Sequence, residues 1–104
     1  MPREYDKLVR DGIPEIIRES DEEPVTHTVE GEAYRDRLRE KLDEEVAEYH
    51  DGEDPEELAD VLEVLAALAG THGLTESELE AMREAKADDR GRFEDGVVLE
   101  AVRE

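Results

Sequence analysis

The sequence predicts a mainly α-helical fold, a single domain over residues 1–104, organised around an antiparallel helical hairpin. Three observations carry this expectation. Apolar residues recur at helical spacing through two long stretches, about Glu32 to His50 and Pro55 to Ala69. A break of only a few residues, Asp51-Gly52-Glu53, separates them, short enough to set the two helices side by side and antiparallel. The length, 104 residues, is that of one ordinary domain.

Taken in order, the first dozen residues end in Lys7-Leu8-Val9-Arg10-Asp11-Gly12 and read as extended or irregular. Ile13-Pro14 opens a short helix through Ile16, Ile17 and Ser20, with proline in the first turn, where its missing N–H costs nothing. Ser20 to Gly31 is polar and reads as a loop or short strand. The first long helix covers about Glu32 to His50. Asp54-Pro55-Glu56-Glu57 then supplies an N-cap, a first-turn proline and a capping-box glutamate for the second. That helix is apolar almost all round from Leu58 to Ala69, which predicts cover on most sides, at the domain centre or in a subunit interface. Gly70 to Gly73 ends it. Thr75 and Glu78 form a capping box for a last helix to about Asp89, with Leu79, Met82 and Ala85 facing inward. Gly96-Val97-Val98-Leu99 reads as a short extended segment near the C-terminus.

Composition narrows the function. With no cysteine, a disulfide framework, a thiolate zinc site and a thiol nucleophile are excluded. There are 33 acidic residues against 13 basic ones, a net charge of −20, and ten of the 13 are arginine. Self-repulsion of that size destabilises a compact monomer in dilute buffer and is largely screened near 1 M salt, where the Debye length is about 3 Å. The balance points to a protein adapted to a salty cytoplasm. No apolar run approaches a membrane span and no signal-peptide core precedes the first helix, so the expected location is cytoplasmic. A broad basic face for nucleic acid is missing.

The chemistry concentrates in four carboxylates. With Leu38 at zero on a helical wheel, Tyr34, Leu42, Glu45 and Tyr49 all fall within roughly 40° at 100° per residue. Glu45 therefore interrupts an apolar stripe, with Glu48 on the same side and Glu44 further out. On the next helix Glu57 lies between Leu68 and Val64, and Asp60 borders that face. In a hairpin turning about Gly52-Glu53, residues whose numbers sum to 105 are level, so Glu45 meets Asp60 and Glu48 meets Glu57. Uncompensated, such a cluster is costly, because like charges repel and each desolvated charge costs several kcal/mol. A hard divalent cation removes the cost, and an all-oxygen donor set favours Mg2+, with Mn2+ as a substitute, over zinc.

Glu44-Glu45-x-x-Glu48 followed by Glu57-x-x-Asp60 resembles the signature of the all-alpha nucleoside triphosphate pyrophosphohydrolases, the MazG-type superfamily that includes phosphoribosyl-ATP pyrophosphohydrolase. The segment Lys7 to Pro14 and Arg90-Gly91-x-Phe93 resemble its small house-cleaning branch. The resemblance implies Glu45, Glu48, Glu57 and Asp60 as magnesium ligands. It also implies hydrolysis of the α–β phosphoanhydride of a nucleoside triphosphate, with a non-standard one expected, to monophosphate and pyrophosphate. The link between the motif halves is shorter than the family's usual one. Glu44, at the flank of the ligand set, is a candidate to orient or deprotonate the attacking water.

A polyanionic substrate also needs cations. Lys7, Arg10, Lys86, Arg90 and Arg92 are the candidates, arginine because it binds phosphate bidentately. Lys86 lies seven residues after Leu79 on the apolar side of its helix, where snorkelling to water is the alternative role. The expected assembly is a homodimer or homotetramer formed through the apolar helix. Two other functions are open to the same sequence: phosphoribosyl-ATP pyrophosphohydrolysis, and a non-enzymatic acidic helical interaction module whose carboxylates only confer solubility in salt.

Overall fold

The computed structural model describes residues 3–103 and contains four helices: α1 (Ile13–Glu19), α2 (Gly31–Gly52), α3 (Pro55–Thr71) and α4 (Glu76–Arg90). Among the described residues there is no strand. The segment read as a loop or short strand, 20–31, and the one read as extended, 96–99, are irregular: among the described residues no neighbouring strand is present to pair with them. No single described helix is long and apolar enough to cross a membrane.

The hairpin turn is built from two local devices. Glu53 adopts the left-handed conformation (φ 52°), and its N–H donates to the Tyr49 carbonyl at 2.6 Å, closing α2. Asp54 then accepts from the Glu56 N–H at 3.0 Å, and Pro55 occupies the first turn, opening α3 in the reverse direction. With two residues between the helices, α2 and α3 pack along their length, and this is the main tertiary contact of the chain. Leu38 and Val64 are buried between them.

α4 starts at the expected capping box, with Thr75 Oγ1 accepting from the Glu78 N–H and Glu78 returning the bond to the Thr75 N–H, both at 3.1 Å. It turns away from α3 by 104° and touches it only near their junction, where Ala69 is buried. This corrects the expectation for its inward face. Leu79 is half-buried, but Met82 and Ala85 are exposed, because a helix leaving at so steep an angle packs over about one turn. On α3 the flank toward α2 is covered within the chain, while Leu58 and Leu62 remain 51% and 66% exposed.

Candidate metal centre

The register of the hairpin brings the carboxylates together. One oxygen from each of Glu45, Glu57 and Asp60 lies within 4.8 Å of the others. Glu45 projects from the buried stripe of α2 and is 6% exposed; Glu57 and Asp60, one turn apart on α3, are half-buried. Glu48 stands beside this trio rather than within it. Its hydrogen bond to Glu45 and the Glu45 charge push its carboxyl above the usual range. Desolvation, followed by the charges of Glu48, Asp60 and Glu45, pushes Glu57 up as well. The repulsion anticipated from the sequence is therefore present in the folded chain.

The most informative atom is Glu45 Oε2. It is buried and has no hydrogen-bond partner, whereas Oε1 of the same carboxylate is 3.0 Å from Lys41 Nζ. A buried carboxylate oxygen left bare is expensive, and beside two further carboxylates it could accept a cation. The donor set is entirely oxygen, which suits a hard divalent ion.

Three cations surround the cluster. Arg10 Nη2 binds Asp60 Oδ1 at 2.7 Å, and this hydrogen bond raises the guanidinium pKa. Lys7 Nζ binds Glu44 Oε1 at 3.1 Å. Lys41 Nζ bridges Glu44 and Glu45 at 3.0 Å each. Burial lowers the Lys41 pKa, but the bonds to Glu44 and Glu45 outweigh it and leave the ammonium raised. Burial likewise raises Glu44, but the bonds from Lys41 and Lys7 hold it below the ordinary range. Glu44 is thus an anion pinned by two lysines, suited to accepting a hydrogen bond and poorly disposed to take up a proton.

Lys7 and Arg10 come from the irregular segment preceding α1, which lies along α2 and α3 and closes one side of a cavity of about 380 Å³. Arg10, Lys41, Glu45 and Asp60 line it, with Tyr34 and Leu38 as an apolar wall. Lys86, Arg90 and Arg92 line no part of it. Arg92 binds Glu84 at 3.0 Å, Arg90 sits 3.6 Å from Asp89 and Lys86 is exposed on α4, because α4 diverges from the hairpin. Lys41 is the member of the site that sequence reasoning missed. Its signal was present: it precedes Glu44 and Glu45 by three and four residues, the spacing at which helical side chains meet.

Lys41 also carries a prediction. Lys41→Met removes the ammonium from Glu45 Oε1, and the metal-free protein should lose about 1–2 kcal/mol in urea unfolding, between the values for exposed and fully buried ion pairs. An unchanged urea midpoint would show that the pair contributes nothing.

No family model matches the chain, and no solved structure does. Over 42 residues, 40% of the chain, it is 55% identical to an uncharacterized protein of Mycolicibacterium smegmatis, and the matched segment is 43% of that protein's length.

Proposed function

We propose that the protein is a magnesium-dependent nucleotide pyrophosphohydrolase that splits a nucleoside triphosphate, of a non-standard kind, into monophosphate and pyrophosphate. The observation that carries this reading is the convergence of Glu45, Glu57 and Asp60 around the unpartnered, buried Glu45 oxygen, next to a cavity into which arginine and lysine also project. An acidic module made only for solubility has no use for a desolvated carboxylate on its core stripe. The resemblance of the carboxylate spacing to the pyrophosphohydrolase signature supports the same assignment.

In this reading Glu45, Glu57 and Asp60, with Glu48 alongside, hold Mg2+ or Mn2+. When bound, such an ion neutralises phosphate charge and lowers the pKa of an attacking water. The chain's own residues do the rest. Arg10 reaches the cluster from a segment outside the hairpin, so it can exchange its bond to Asp60 for one to a phosphate oxygen without moving α2 or α3. Lys7 is placed to act in the same way beside Glu44. Lys41 fixes the orientation of Glu45. Glu44, kept anionic by its two lysines, accepts a hydrogen bond from water at the edge of the cluster.

The test is pyrophosphate release from a panel of ordinary and modified nucleoside triphosphates and from phosphoribosyl-ATP, in molar potassium chloride. Release should require the divalent ion and should favour a triphosphate over phosphoribosyl-ATP. Release confined to phosphoribosyl-ATP would move the protein to the sibling activity. No release from any of them by folded protein would leave the cluster without an enzymatic role.

A further inference from the structure

A second cavity, of about 490 Å³, adjoins the one beside the carboxylates, and the two share Leu8, Val9, Asp11 and Tyr34 in their walls. Another part of its wall comes from residues 25–29, in the irregular segment before α2. The chain has three tyrosines, one phenylalanine and no tryptophan, and two of the tyrosines, Tyr5 and Tyr34, line this space. Its size and lining are those of a small-molecule site: aromatic and aliphatic surface from Tyr5, Leu8, Val29 and Tyr34, with a small number of polar groups among them.

The N-terminal part of this wall is held in place from α2. Arg37 and Glu44 are two helical turns apart on one flank of that helix, and they grip successive residues of the segment before α1. Arg37 Nη1 donates to the Asp6 carbonyl and Nη2 to Asp6 Oδ1, both at 2.9 Å, while Glu44 Oε1 accepts from Lys7 Nζ at 3.1 Å. Tyr5 is the residue just before this double anchor. Its side chain takes no part in the buried core of Leu38, Val64 and Ala69, being 64% exposed, and Lys7 Nζ lies 5.7 Å from the centre of its ring. One ammonium therefore joins an accessible aromatic ring to the flank of the carboxylate cluster.

We infer that this second cavity receives the base of the nucleotide whose phosphates occupy the first, with Tyr5 stacking on the flat face of the base. The inference rests on the pyrophosphohydrolase reading and assigns a place to the other half of the substrate. Arg10 and Lys41 line the first cavity alone, whereas Tyr5 lines only the second. Charge for phosphates and aromatic surface for a base are thus divided between two adjoining spaces, as a nucleotide divides them. Stacking holds any base, because every base has a π-face. Discrimination between bases then falls on groups that meet the ring edges, and Thr26, His27 and Thr28 bring hydroxyl and imidazole donors and acceptors to the same cavity.

Binding without turnover tests it. Equilibrium dialysis of the full chain with magnesium in molar potassium chloride, against tripolyphosphate and against the α,β-methylene triphosphates of adenosine, guanosine, cytidine and uridine, separates the phosphate half of the site from the base half. The native chain should bind the nucleotide analogues about 10-fold or more tighter than tripolyphosphate. Tyr5→Ala should abolish that preference and leave tripolyphosphate binding as it was, while Tyr5→Phe, which keeps the ring, should keep the preference. So should Phe93→Ala, at a fully exposed aromatic that lines neither cavity. Equal binding of both kinds of probe by the native chain overturns the inference and leaves the pyrophosphohydrolase reading standing, as does a preference that survives Tyr5→Ala or a loss in Tyr5→Ala that tripolyphosphate shares. Binding of neither probe by folded protein overturns both.

Discussion

Replacing Glu45 by glutamine should reduce divalent-dependent pyrophosphate release by at least about 100-fold, since groups that merely support a metal ligand already account for 10–100-fold. The amide keeps the shape of the side chain but removes the charge that both Lys41 and a cation would share. The fold should survive. Glutamine fills the same space on the α2 stripe, and losing one negative charge relieves Glu48, whose raised pKa stems first from Glu45. A Glu45→Gln protein with native turnover would remove the cluster from the chemistry. A protein inactive because it is unfolded would be recognised by circular dichroism, and Asp60→Asn, at the half-buried partner across the hairpin, would then repeat the test.

The second large effect is thermal. In the metal-free chain Glu48 and Glu57 titrate above the ordinary carboxylate range. Between the unfolded value and these raised values the native state binds more protons than the unfolded state, so stability falls as pH rises through that window. Glu44 acts the other way, with its pKa lowered, but its contribution is lost only below the ordinary carboxylate range. Acidifying metal-free protein from neutral pH toward the ordinary carboxylate range, in molar potassium chloride to screen the remaining surface, should therefore raise its melting temperature. Magnesium at about 100 times its dissociation constant should add about 2.7 kcal/mol, or 10–20 °C for a domain of this size. It should also reverse the pH dependence, because metal ligands must be deprotonated. Equal slopes with and without magnesium, or equal stabilisation by potassium at matched ionic strength, would sink the metal site. Glu57→Gln should flatten the metal-free slope while leaving the helical content intact.

Much of this site was legible in the linear sequence because helical hairpins are governed by short-range rules. The cap at Asp54, the proline after it and the short break fix where α2 stops and α3 starts, and register then follows from counting. Glu45 could be placed on the core stripe from periodicity, and it is buried. The flanking cations were legible only in part. Arg10 and Lys7 reach the cluster from an irregular segment whose path no periodicity encodes, so their roles rested on resemblance. Lys86, Arg90 and Arg92 join them in the sequence by charge, by the apolar-side position of Lys86 and by the motif at Arg90-Gly91-x-Phe93, none of which encodes the direction of α4. A 104° departure after Thr71 takes them elsewhere.

By itself the sequence determined the four-helix order, the capped hairpin and the meeting of Glu45 with Glu57 and Asp60, because each depends on hydrogen bonds and side-chain spacing within a few residues. The tertiary structure alone decided which oxygen of Glu45 is left bare, which cations stand beside it, and which flank of α3 is covered. Those outcomes depend on the angle between helices and the course of irregular segments, which are set by packing between parts of the chain far apart in sequence.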